Sequence, residues 1–192
     1  MAKRSSSKKS NLKSQISEPQ MLRVLIVEDS EDDALFLIRR LKEGGYHPVF
    51  KRVATADAMN KAVKEKQWDI ILCDYMMPDF DAPAAIAVLR ELNIDIPFII
   101  ISGNIGEKAE IEFMRLGAHD CLNRSDLSRL CPAIARELKE AKIRKMQKHT
   151  EETFLREEQR FRALAEQSSD IIALVNQEGT ILYENRAIER IL

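Results

Sequence analysis

The sequence contains few cysteines and no pair of them spaced for a metal or redox site. Cys73, Cys121 and Cys131 are odd in number and form no CxxC motif. This pattern excludes a disulfide framework and indicates reduced thiols. We therefore expect a cytoplasmic protein.

Long hydrophobic runs are also absent. The longest apolar stretches, such as FIII at 98–101, are far shorter than the roughly 18 residues that a membrane-spanning helix needs. The first 20 residues are basic and rich in serine, but they lack the apolar centre of a signal peptide. We predict no membrane span and a disordered basic tail over residues 1–20.

The chain has no excess of charge of either sign. Its 30 basic and 31 acidic residues leave a net charge of -1, which gives no argument for nucleic acid or a membrane as the main partner. We expect no direct DNA binding. The phosphate-binding loop GxxxxGK[ST] is absent as well, which excludes a P-loop kinase or GTPase.

What is present is a regular alternation of apolar strands and amphipathic helices. The segments predicted as strands are LRVLIVED, HPVFKRV, DIILCDY, IPFIIIS and HDCLN, and a helix follows each one. Because these strands are almost continuously apolar, both faces of their sheet must be covered. The pattern predicts an α/β fold with a doubly wound five-stranded parallel sheet in the flavodoxin-like order 2-1-3-4-5.

The first helix shows how clearly the sequence marks its boundaries. Ser30 is an N-cap residue followed by acids, and two glycines at 44–45 end the helix. Thr55 is the corresponding N-cap of the second helix. We expect the first helix to bury the stripe formed by Ala34, Leu35, Ile38 and Leu41.

The C-terminal third has a different pattern. Residues 134–166 are predicted to form one continuous helix with a thin apolar stripe of Ile134, Leu138 and Ala141. Such a helix is typical of a connector, and we expect it to pair with its copy in a homodimer. Beyond it, residues 170–176 and 181–185 are predicted to form a β-hairpin that turns at Gly179.

Acidic residues stand where two of the predicted strands end. Glu28 and Asp29 end the first strand and Asp74 ends the third, and these strands are neighbours in the predicted order. Three converging carboxylates need a counter-charge, and an all-oxygen site suits Mg²⁺. Ser102 ends the fourth strand and Arg124 follows the fifth, so a hydroxyl and a cation complete a phosphoryl-binding group.

The segments that carry these residues resemble a known family. VLIVEDSEDD, IILCDYMMPDFDA, IPFIIISG and GAHDCLNR are similar to the signature segments of two-component response-regulator receiver domains, and the resemblance extends from Leu22 to Lys139. It implies that Asp74 accepts a phosphoryl group from a histidine kinase or phosphotransfer protein. It also implies that Asp29, Asp74 and the backbone carbonyl of Met76 bind Mg²⁺ directly, while Glu28 acts through a metal-bound water.

The same resemblance assigns Ser102 and Arg124 to the phosphoryl oxygens. Arg124 replaces the family's usual lysine, and Cys121 replaces its usual aromatic switch residue. One alternative is therefore a pseudo-receiver, a binding module whose switch is disabled. A phosphohydrolase with a DxD motif is disfavoured because position 76 is Met. We expect no enzymatic activity beyond the chain's own phosphorylation.

The last segment, RFRALAEQSSDIIALVNQEGTILYENRAIERIL, resembles the beginning of a PAS sensor domain. The predicted organisation is a tail at 1–20, a receiver domain at 21–140, a helical linker at 141–158 and an incomplete PAS-like domain at 159–192. A further alternative follows from it, in which the chain is the N-terminal part of a larger sensor histidine kinase or another PAS-containing signalling protein.

Overall fold

The structure is a computed structural model that describes residues 20–103 and 107–191. Its described part divides into two compact units, one ending at Leu138 and the other beginning at Lys139. The predicted tail lies outside the described residues except for Gln20, which opens the first strand.

The first unit contains a five-stranded parallel sheet in the order β2-β1-β3-β4-β5, which confirms the predicted topology. Its strands correspond to the five apolar segments of the sequence, with ends that differ by one or two residues. They are β1 Gln20–Val27, β2 Tyr46–Val53, β3 Ile70–Asp74, β4 Phe98–Ser102 and β5 Asp120–Asn123.

Helices follow the strands as predicted: α1 Glu31–Glu43, α2 Ala56–Glu65, α3 Ala82–Glu91, α4 Glu107–Leu116 and α5 Leu130–Gln167, with a 3-10 turn at Leu127–Arg129. Short polar side chains cap the starts of α1 and α2. Ser30 and Thr55 accept hydrogen bonds from the backbone N–H groups of Asp33 and Ala58. Within the described ranges, no helix is long and apolar enough to span a bilayer.

The core lies on both faces of the sheet. Alternate residues of each strand point to opposite faces, so Ile26, Leu72 and Ile101 pack under α1 and α5, while Val27 and Ile100 pack under α2, α3 and α4. Full burial of such an aliphatic side chain stabilises the fold by roughly 1.5–3 kcal/mol. The two covered faces leave the ends of the strands as the open part of the sheet.

The buried face of α1 differs from the predicted stripe at one position. Leu37 is 4% exposed and packs in the core, whereas Leu35 is 47% exposed. The buried set is therefore Ala34, Leu37, Ile38 and Leu41. Their spacing of three, one and three residues follows one side of the helix more closely than the predicted set did.

The long C-terminal helix is confirmed, but its predicted interface was wrong. Ile134 is fully buried in the sheet's α1–α5 face, where Leu138 also packs, and Ala141 is buried as well. The apolar side chains that α5 leaves exposed lie farther along, at Ile143, Met146, Phe154, Leu155, Phe161 and Leu164.

In the second unit, β6 Ala173–Val175 and β7 Ile181–Glu184 form the predicted antiparallel hairpin, followed by α6 Ala187–Ile191. Gly179 has a φ of 82°, a left-handed conformation suited to glycine at the turn. The buried side chain of Asn185 links the hairpin to α5, because its amide donates to the carbonyls of Ala165 and Asp170.

Candidate functional site

The candidate site lies at the carboxyl edge of the parallel sheet. Asp74 is the last residue of β3 and Ser102 is the last residue of β4. Glu28 and Asp29 follow β1, and Arg124 follows β5. Because parallel strands end at the same edge, side chains far apart in sequence converge there.

The three acids form a compact cluster. One carboxylate oxygen each of Glu28, Asp29 and Asp74 lies within 4.8 Å of the others. Glu28 is only 1% exposed, while the side chain of Asp74 is 14% exposed and lines a cavity at the protein surface. An all-oxygen donor set that leaves room for water fits a hard divalent cation such as Mg²⁺.

Arg124 supplies a positive charge inside this cluster. Its Nη2 donates to Glu28 Oε2 at 2.9 Å and lies 2.7 Å from Asp74 Oδ1. Its Nη1 donates to Asp33 on α1. One planar guanidinium therefore bridges three carboxylates from three segments of the chain, which the compact ammonium of a lysine is less suited to do.

Burial and charge shift the pKa values of these groups. Loss of solvent raises the pKa of Glu28 to about 7, although Arg124 and the Ser30 N–H partly offset the shift. Burial also raises the pKa of Asp74, against the opposing effect of Arg124. Burial by itself lowers the pKa of Arg124, but the charges of the acids outweigh it, so the guanidinium stays ionised.

A cavity of about 420 Å³ opens beside the acids, lined by Asp74, Tyr75, Met76, Ser102, Gly103 and Arg124. The two residues predicted to flank a phosphoryl group, Ser102 and Arg124, thus line the same space as Asp74. The backbone also joins them, since the Arg124 N–H donates to the Ser102 carbonyl at 2.7 Å. Met76, predicted to offer its carbonyl, lines this cavity too.

The switch position is buried and has no ring. Cys121 is part of the core beneath α2, α3 and α4. Tyr75, which lines the cavity, forms a ring pair with Phe113, with centroids 4.6 Å apart and planes tilted by 50°. Cys121 therefore offers no aromatic side chain that could turn toward the site.

Two residues near the acids were not singled out from the sequence. Asp33 pairs with Arg124, and Arg52 at the end of β2 donates to the backbone carbonyls of Glu28 and Asp29. The position of each residue in the sequence nevertheless indicated that it lies near the site. Asp33 lies in the first turn of the helix that begins at the carboxyl edge, and Arg52 is the residue before the last in the strand that pairs with β1.

Comparison with known proteins identifies the family of the residues that form the parallel sheet. The family model of the response regulator receiver domain matches residues 24–135, more than half of the chain. The transcriptional regulatory protein PcoR of Escherichia coli is 31% identical over 108 residues, which are 53% of this chain and 44% of that protein. The match thus covers less than half of the length of PcoR.

Solved structures are similar over the same part of the chain. A sensor protein from Polaromonas sp. JS666 has a TM-score of 0.54 at 25% identity, covering 62% of this chain and 98% of that one. The receiver domain of the Francisella response regulator 1452 has a TM-score of 0.55 at 24% identity over 62% of this chain and 98% of that one, which supports the fold. The chain belongs to the response regulator receiver domain family of two-component signalling.

Proposed function

We propose that this chain is a phosphoaccepting receiver in which Asp74 takes a phosphoryl group from a phosphohistidine. The observation that carries the proposal is the convergence of three carboxylates, Glu28, Asp29 and Asp74, beside a cavity that Ser102 and Arg124 also line. A core with no such task does not need ionisable groups clustered at one end of its sheet.

The transfer requires little covalent chemistry from the protein. An oxygen of the Asp74 carboxylate attacks the phosphorus, the O–P bond forms, and the P–N bond to the donor histidine breaks. The imidazole nitrogen retains the electron pair and takes up a proton. Asp29, Asp74 and the Met76 carbonyl would hold Mg²⁺, with Glu28 acting through water, and this ion would neutralise charge on the phosphoryl oxygens.

Arg124 must change partners during this reaction. Its Nη2 lies 2.7 Å from Asp74 Oδ1, where it competes for the carboxylate that becomes phosphorylated. Phosphoryl oxygens offer the guanidinium a new set of acceptors, and the Ser102 hydroxyl supplies a donor on the adjacent strand. The exchange of carboxylate for phosphate contacts would convert a local charge change into a rearrangement of the β5 edge.

Acetyl phosphate tests the proposal without a partner kinase. Full-length protein with Mg²⁺ and acetyl phosphate should gain the mass of one phosphoryl group in intact mass spectrometry, and EDTA should prevent the gain. A pseudo-receiver, the alternative function, would show no gain under either condition. That result would leave Arg124 as a permanent internal counter-ion of the acids.

The proposal extends to the phosphoryl donor and to the organisation of the C-terminal residues. We propose a histidine kinase or phosphotransfer protein as the phosphoryl donor, with residues 141–158 as a helical linker and 159–192 as the start of a PAS-like domain. The helix-strand-turn-strand order of the second unit supports that reading. It equally fits the alternative in which the chain is the N-terminal part of a larger sensor protein.

We also propose that α5 pairs with a second copy of the chain, through a stripe different from the predicted one. Ile143, Phe154, Phe161 and Leu164 are exposed and fall on one seam with the 3-4 spacing of a coiled coil. The seam positions between them are polar, at Gln147, Thr150 and Glu157, so we expect weak dimers. A second copy of the chain suits this seam because it presents apolar side chains at the same spacing.

Sedimentation of two matched variants tests the pairing. Phe154→Glu places a charge in the seam and should lower the dimer fraction at micromolar concentrations about tenfold or more, while Leu155→Glu on another side of the helix should not. Both side chains are exposed in the monomer, at 69% and 49%, so neither change disturbs a core. Monomeric wild-type protein over the whole concentration range, with or without beryllofluoride, would contradict the proposal.

A further inference from the structure

Arg52 makes a contact that neither the composition of the acid cluster nor the family resemblance anticipates. It lies next to the end of β2, the edge strand, opposite Ile26 of β1 in the parallel register. Its Nη1 donates to the backbone carbonyls of Glu28 and Asp29, each at 3.0 Å. One side chain thus binds the backbone of both acids that follow β1.

Other contacts hold the same turn. The N–H of Glu28 donates to the Val53 carbonyl at 2.9 Å, and the N–H of Ser30 donates to Glu28 Oε1 at 3.2 Å. The end of β2 therefore binds the turn at Glu28 through its backbone and through the side chain of Arg52. Asp29 is connected to β2 through Arg52, which donates to its carbonyl.

The direction of a carboxylate depends on the backbone that carries it. A shift of the Glu28–Asp29 turn by a fraction of an ångström would move the two oxygens away from Asp74, and a cation such as Mg²⁺ requires near-octahedral geometry. Groups that orient metal ligands commonly change metal affinity by a factor of 10–100 when they are removed. Hydrogen bonds from a charged donor are also stronger than neutral ones.

We propose that Arg52 is a positioning residue for the divalent-cation site, holding the turn that carries Glu28 and Asp29 in the geometry for binding. The inference rests on the proposed function, since it concerns the same acids. It assigns to the second strand a part in a site that is otherwise built from the ends of β1, β3, β4 and β5.

The direction in which the affinity for a divalent cation changes when Arg52 is removed distinguishes a positioning role from a purely electrostatic one. Arg52 is a cation near an acidic cluster, so if it acted by charge alone, its removal would strengthen the binding of a divalent cation. If it positions the acids, its removal weakens that binding although the local repulsion falls. A structural role unrelated to the site would change thermal stability and leave the affinity for Mg²⁺ unaltered.

Calorimetric titration of the full chain with Mg²⁺ makes the comparison. We expect Arg52→Met to weaken binding about tenfold, and Arg52→Lys, which restores a charged donor, to recover most of the loss. Lys51→Met is the matched control, because Lys51 is the adjacent cation on β2 and pairs with Glu65 at 3.1 Å. Thermal unfolding in EDTA checks that every variant is folded, and Arg52→Gln replaces Arg52→Met if the latter is not.

The outcomes distinguish a failure of the positioning role of Arg52 from a failure of the proposed function. Binding by wild type with unchanged or tighter binding by Arg52→Met, or by Arg52→Gln in its place, overturns the positioning role and leaves the proposed function intact. Equal weakening by Lys51→Met also overturns it, since the effect would then be common to cations on β2. Failure of wild-type protein to bind Mg²⁺ overturns the proposed function and this inference with it.

Discussion

Replacement of Asp74 by Asn is expected to abolish phosphorylation of the chain by acetyl phosphate. Asn has nearly the same shape, but its neutral amide lacks the nucleophilic oxygen that forms the O–P bond. The Asp74 side chain is 14% exposed and lines the 420 Å³ cavity, so a phosphoryl donor can reach it. Intact mass spectrometry after incubation with Mg²⁺ and acetyl phosphate measures the effect.

Asp79→Asn is the matched control for that experiment. Asp79 is an exposed acid five residues farther along the same loop, with no contact to Arg124 among the described ion pairs. We expect the Asp79→Asn variant to accept one phosphoryl group, on Asp74, at the wild-type rate. Labelling that persists in Asp74→Asn and disappears in Asp79→Asn would move the acceptor to the loop and contradict the proposed function.

Replacement of Arg124 by Met is expected to destabilise the metal-free protein by about 2 kcal/mol at pH 8. The change leaves the carboxylates of Glu28, Asp33 and Asp74 without the guanidinium that bridges them. Removal of one partner from a buried ion pair usually costs more, but Arg124 is about a quarter exposed, and water screens part of the loss. Urea unfolding in EDTA measures the difference.

The pH dependence of that loss follows from Glu28. Because its pKa rises from 4.5 to about 7 on folding, the folded state binds a proton more tightly than the unfolded chain does, and stability decreases as pH rises between these values. At pH 6 Glu28 is mostly protonated and needs Arg124 less, whereas at pH 8 it is ionised. We therefore expect Arg124→Met to lose more stability at pH 8 than at pH 6.

Two controls define the result. Arg129→Met removes an exposed arginine from the turn after β5 and should leave stability within experimental error. Addition of Mg²⁺ should stabilise Arg124→Met more than wild type, since a bound cation replaces the missing charge and ligand binding to the native state adds stability. Equal loss at both pH values, with no extra effect of Mg²⁺, would mean that Arg124 contributes packing alone.

An arginine at position 124, where the resembled family usually has lysine, changes the contacts of the acid cluster. A guanidinium that bridges Glu28, Asp33 and Asp74 occupies the acid cluster more fully than a single ammonium would. In the proposed function, entry of a divalent cation and a phosphoryl group would displace these contacts. Activation would then depend on how readily Arg124 changes partners.

The sequence by itself determined the sheet and the position of its site. Continuous apolar runs such as IILC at 70–73 bury both faces of a strand, which is typical of a parallel sheet covered by helices on both sides. Ser30, Thr55 and the paired glycines at 44–45 set helix ends through local hydrogen bonds and φ angles. Acids at the ends of the first and third strands then had to converge, because neighbouring parallel strands end at one edge.

Only the tertiary structure decided which groups touch within that edge. Arg124 contacts Asp33 and Glu28 across 91 and 96 residues, and Arg52 reaches Glu28 across 24. The burial of Ile134 and the packing of Leu138 were likewise decided by the sheet, whose α1–α5 face they contact. Periodicity and capping depend on residues within a few positions of one another, whereas these contacts depend on how far side chains reach after distant segments have packed.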